Sequence, residues 1–130
     1  MVIILSVADK KIVPVISRGS IFPPSGVPVY HDSRLINTPE RAEEVARIMG
    51  QGRAVILRAH GAVVSEGSIE GVFFASLCLE DNAKKLYASL QIGQPGVLRS
   101  EEIEEYQSDY AKRPFSKAWS YYCNKAGINF

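Results

Sequence analysis

The sequence predicts a mixed α/β domain, and three observations carry that reading. β-branched runs open the chain at "VIILSV" and "KIVPVI". A well-capped helix and two short strand-like segments follow them. Long helical periodicity then fills the second half, so strands and helices alternate. At 130 residues the chain is one domain over 1–130, long enough to bury about two-thirds of its unfolded surface.

Each element has its own warrant. "VIILSV" and "KIVPVI" are bounded by Asp9-Lys10-Lys11 and Ser17-Arg18-Gly19 and read as strands, a candidate hairpin, with Pro14 suiting an edge or a bulge. "IFPPSGVPVY" is a Pro- and Gly-rich loop leading into a short strand. Thr38 suits an N-cap and Pro39 the first helical position, so "RAEEVARIM" forms a helix stopped by Gly50. Its apolar stripe is Ala42, Val45, Ala46 and Met49. Residues 53–59 and 62–65 make two strand-like segments meeting at His60-Gly61. Ser68 then caps the run "IEGVFFASLCLEDNAKKLYASLQI", where Ile69, Val72, Phe73, Ser76, Leu77, Ala83, Leu86, Tyr87 and Leu90 follow helical spacing. Within that run Glu80 is placed to pair with Lys84 at i+4. "GQPG" breaks the chain, Ser100 is read as the cap of an acidic helix "EEIEEYQSDY", Pro114 breaks again, and "SKAWSYYCNKAG" forms a last helix ending at Gly127.

Composition excludes several classes of function. Hydrophobic residues make up 46% and charged residues 22%, as in a folded globular protein. The net charge of +1 comes from interspersed signs, with no basic stripe for nucleic acid and no cluster for anionic lipid. No apolar run approaches the roughly 20 residues of a membrane span, and the N-terminus lacks the pattern of a signal peptide. Cys78 and Cys123 are too few and too far apart for a disulfide framework, and Cys78 suits a small buried hydrophobe. The expected compartment is the cytoplasm.

The chemistry concentrates at "RAVILRAHGAVVSEG", where a single histidine interrupts an apolar run. A turn between two strands can aim the His60 imidazole out of the sheet on a rigid support, with Gly61 allowing a close backbone approach. His60 is then either a metal ligand or a histidine satisfied by a backbone carbonyl.

The stretch from "GVPVYHDSRLINTPERAEEV" through "ILRAHGAVV" to "LCLEDNAKKLY" closely resembles the second half of the class II aldolase/adducin family, and the resemblance runs from about residue 2 to about residue 124. It implies a three-layer α/β/α sandwich around a mostly antiparallel sheet, assembled as a homo-oligomer. It also implies a divalent metal, commonly zinc, held by histidines of which His60 would be one. The family's activities are aldol cleavage, sugar-phosphate epimerisation and decarboxylation of small carbonyl substrates, with the metal as Lewis acid.

The match also has a gap. Family enzymes take their other metal histidines from an HxH motif upstream of "VIILSV", with the acid/base residue and an anion-binding loop further upstream. By that alignment the domain is incomplete at its N-terminal side, and metal binding by this chain alone is expected to be weak or absent. His31 is read as a loop histidine beside Asp32 rather than a substitute ligand. Arg18 and Ser20 lie where family members carry a loop near the metal. Tyr106, Tyr110, Trp119, Tyr121 and Tyr122 are expected to pack helices or a subunit contact. Two functions follow from the resemblance. One is a metal-dependent carbonyl lyase that is inactive as this chain alone, and the other is a non-catalytic oligomerising or binding module. The unpaired strand edges favour self-association.

Overall fold

The computed structural model describes residues 1–128 apart from 111, 113 and 114, so the break assigned to Pro114 lies outside the described residues. Its helices are α1 (Val2–Val7), α2 (Pro39–Met49), α3 (Ile69–Ile92), α4 (Ser100–Tyr110) and α5 (Ser116–Lys125), with a short 3₁₀ helix at Ser17–Ile21. The strands are β1 (Val29–Tyr30), β2 (Ala54–Leu57) and β3 (Gly61–Val64), in the order β1-β2-β3. β1 runs parallel to β2, with Val29 opposite Ile56, and β2 runs antiparallel to β3, with Val55 opposite Val63.

The period of two in β2 divides the molecule into layers. Ala54 and Ile56 face a core shared with Val2 and Leu5 of α1 and Ala75, Cys78, Leu79, Ala83 and Leu86 of α3. Val55 faces the other way, onto Tyr30 and Val45 of α2, with Ile48, Met49 and Leu57 at the margin. The result is a three-layer α/β/α arrangement with β2 at its centre.

Two elements read as strands from the sequence take other forms. "VIILSV" is a helix: Val2, Leu5 and Ser6 are buried at helical spacing, while Ile3, Ile4 and Val7 point outward, so packing overrides the β preference of the residues. Its end is a Schellman motif, in which the Lys10 N–H donates to Leu5 C=O (2.8 Å) and the Asp9 N–H to Ser6 C=O (3.3 Å). Asp9 takes the left-handed position, at φ +53°. "KIVPVI" joins no sheet, and a side chain takes over much of its backbone pairing. Asn82 on α3 accepts the N–H groups of Val15 (3.0 Å) and Ile16 (3.3 Å) and donates to Val13 C=O (2.9 Å).

The expected caps of α2 and α3 form as read: Thr38 Oγ1 accepts the Arg41 N–H and Ser68 Oγ accepts the Gly71 N–H. The cap of α4 lies one residue before Ser100. Arg99 C=O accepts the Ile103 N–H, and the Arg99 N–H donates to Glu102 Oε2 at 2.8 Å, the returning half of a capping box. The buried stripe of α3 is Gly71, Ala75, Cys78, Leu79, Asn82, Ala83 and Leu86, which leaves Ile69 exposed. On α2 only Val45 is fully buried, and Ala42 and Ala46 face out. Glu80 does pair with Lys84 (3.8 Å) and also lies 3.0 Å from the Met1 amino group.

Candidate functional site

β2 carries the chain straight to the histidine turn. The His60 N–H donates to Leu57 C=O at 3.0 Å, closing a tight turn over 57–60 with Ala59 left-handed at φ +63°. That strained alanine is held from outside the turn: its N–H donates 3.2 Å to the buried Ser6 Oγ of α1, and the Ser6 hydroxyl donates onward to Ile3 C=O at 2.7 Å. Gly61 follows at φ +155°, where an added Cβ would meet open space. Backbone conformation rather than crowding is what calls for glycine there.

The His60 side chain is exposed, and its Nε2 contacts Ser33 C=O. A carbonyl can only accept, so Nε2 is the donor here, which in the Nε2–H tautomer leaves the lone pair at Nδ1. The loop that presents Ser33 is itself tied down. Asp32 accepts the Arg34 Nε–H at Oδ1 (2.9 Å) and the Nη2–H at Oδ2 (2.5 Å), and the Arg34 guanidinium holds its carboxyl well below the usual carboxylate range. Arg41 donates to Leu35 C=O (2.7 Å) and Asn37 Oδ1 (2.9 Å). The imidazole is therefore set by a second-layer backbone contact of the kind that orients metal-bound histidines.

A zinc site needs about three protein ligands with a fourth position open for catalysis. His60 offers one nitrogen, and among the described residues no group of three or more His, Cys, Asp or Glu is placed to hold a metal ion. The donors present do not fit a zinc ion by themselves. His31 lines a different feature, a cleft of about 280 Å³ shared with Ser6, Asp9, Lys10, Lys11 and Ser25.

Arg18 and Ser20 are not at the histidine turn. Their 3₁₀ helix sits at the opposite end of β2, where Arg53 donates to Ile21 C=O (3.3 Å). Ser20 is 1% exposed, and Arg18 lies 4.0 Å from Asp81. This end holds a polar cluster that sequence reasoning missed. The Arg53 Nε–H and the Tyr110 O–H both donate to Glu66 Oε1, at 2.6 and 2.9 Å, and the guanidinium lies 4.8 Å from the Tyr110 ring centre. Burial first, then the Glu66 carboxylate, pushes the Tyr110 phenol up from its usual 10.0. The folded protein thus keeps this proton where the unfolded chain releases it, so the contribution is whole below about pH 10 and is lost as pH rises beyond it. Tyr110→Phe is expected to cost about 1–2 kcal/mol in urea unfolding near neutral pH. A change below about 0.5 kcal/mol would mean that Arg53 alone satisfies Glu66.

The C-terminal aromatics pack the helices. Phe73 meets Trp119 (5.5 Å) and Tyr122 (5.2 Å) edge-on, Phe74 meets Tyr110 (6.0 Å), and Tyr106 packs against the main core. Tyr121 is 60% exposed and stacks edge-on with Tyr122. Cys78 and Cys123 are both buried.

A small sheet between two helical layers, with a histidine-glycine turn at the end of its central strand, makes this an α/β/α domain. The sequence pattern of the Class II Aldolase and Adducin N-terminal domain matches residues 1–87, and the chain belongs to this family. Among solved structures it is similar to an L-fuculose 1-phosphate aldolase, at 23% identity and a TM-score of 0.74 over 85% of this chain and 51% of that one. The chain thus spans about half the length of that enzyme, and the likeness concerns the fold. Curated proteins include no sequence match. Class II aldolases are generally metal-dependent and often oligomeric. Among the described residues no helix is long and apolar enough to cross a membrane.

Proposed function

We propose that this domain carries the histidine-glycine portion of a metal-dependent carbonyl lyase site, acting on a small carbonyl substrate such as a sugar phosphate in the cytoplasm. The observation that supports this is the His60 turn, an exposed imidazole with a free Nδ1 on a rigid strand end, held by Ser6 and Ser33. His60 is one metal ligand in this reading, and zinc is the metal. The other ligands and the acid/base group come from a segment or chain outside these 130 residues, which alone do not turn over substrate. Self-association is part of the proposal, because a sheet this small leaves edges to cover.

The test is metal content and activity together. The purified 130-residue protein, loaded with zinc and then dialysed, is expected to keep well under one zinc per chain and to release no aldehyde from ketose 1-phosphates. One zinc per chain, lost in His60→Ala, would show that these residues complete a metal site by themselves and would sink the claim that the other ligands lie outside them. A second reading, a non-catalytic binding or oligomerising module, is favoured by the donor count. Adding the HxH-bearing half of a family enzyme in trans separates the two, since only the lyase reading expects His60-dependent zinc uptake by the mixture.

A further inference from the structure

We infer that a pocket formed where α5 and the 3₁₀ helix meet α3 binds a small aromatic carboxylate, its charge held by Arg18 and Lys117 and its ring by aromatic side chains. The inference does not rest on the metal-lyase reading, because no residue of this pocket belongs to the sheet or to the histidine turn.

The pocket has a volume of about 480 Å³, inside the roughly 300–1,000 Å³ of small-molecule sites. Its lining is mostly apolar. Phe74 and Leu77 stand one turn apart on α3 and are only half-buried, and Tyr121 and Tyr122 face them from α5. Tyr121 meets Tyr122 edge-on at 5.1 Å yet remains 60% exposed, so ring surface is left for a further ring to pack on.

The charges decide what fits. Arg18 lies 4.0 Å from Asp81, beyond hydrogen-bond reach, and Asp81 is shared with Lys85 at 3.7 Å. Among the described residues Lys117 is in no ion pair. A purely apolar occupant would cover both cations without bringing them a counter-charge. A carboxylate supplies that charge, and the planar guanidinium of Arg18 matches its two oxygens. The cations stand on different elements, Arg18 on the 3₁₀ helix and Lys117 on α5, so a single anion between them is met from two sides.

Benzoate is the probe, titrated into the 130-residue protein and followed by ¹⁵N–¹H NMR shifts. The expected result is saturable shifts confined to residues 17–21, 74–77 and 117–122, with a dissociation constant on the order of 1 mM, as a ligand of that size allows. Arg18→Gln and Lys117→Gln should each weaken binding at least about fivefold, while Lys125→Gln, on α5 but outside the pocket, should leave it unchanged. Two further ligands need no variant. Benzamide keeps the ring without the charge and acetate the charge without the ring, and each should bind at least about fivefold more weakly than benzoate. Absence of saturable shifts up to about 20 mM benzoate overturns the site, as do shifts centred elsewhere. Benzamide or acetate binding as well as benzoate overturns the ligand class, and so does benzoate binding that both pocket variants leave intact.

Discussion

Asn82→Ala is expected to cost about 3–5 kcal/mol and to lower the melting temperature by roughly 10–20 °C. Asn82 is 1% exposed, yet its amide makes three hydrogen bonds to a segment more than 60 residues away in sequence. Truncation leaves the N–H groups of Val15 and Ile16 and the C=O of Val13 without their partner. Each unpaired buried group costs about 1–3 kcal/mol, against the 5–15 kcal/mol that holds an ordinary domain folded. Urea unfolding followed by far-UV circular dichroism measures the loss. A cost near 1 kcal/mol would mean that water replaces the amide and that the 10–16 segment does not depend on it.

The second large effect lies against the first. A Cβ built on Gly19 would stand 2.2 Å from Asn82 Oδ1 and 2.6 Å from its Cγ, with Pro14 Cα at 3.2 Å. Asn82 cannot swing aside without breaking the hydrogen bonds just described. Gly19→Ala is therefore expected to destabilise by about 2–4 kcal/mol, at or above the usual range for an overpacked core. The two substitutions should not add. With Asn82 already alanine the obstacle is gone, so Gly19→Ala should cost at least about 1 kcal/mol less in that background. Strict additivity would place the strain at Pro14 instead.

The same pair explains what the sequence could and could not disclose. Caps and breakers were legible because they act locally: Thr38-Pro39, Gly50 and Ser68 mark α2 and α3 through bonds within a few residues. The strand, turn, strand and long helix around His60 were legible through periodicity and glycine. "KIVPVI" was misread because its backbone is satisfied by a distant side chain, and nothing nearby in sequence marks Asn82 for that task. "VIILSV" was misread because its β-branched residues argue for a strand, while the helix is imposed by Val2 and Leu5 packing on α3. At the histidine turn, the sequence singled out His60. Ligand and carbonyl-bonded ring are compatible alternatives, since Nε2 is committed to Ser33 and Nδ1 is not. The supporting Ser6 and Ser33 contacts, and the Arg53–Glu66–Tyr110 cluster, come from residues far apart in the chain.

The division of labour along β2 limits how this domain can change length. Ala54 and Ile56 serve one core while Val55 serves the other. Inserting or deleting a single residue within 54–57 would hand each side chain to the opposite layer, so both interiors would lose their fit in one step. The connecting loops carry no such two-sided obligation. The four residues of the central strand therefore tolerate substitution but not indels.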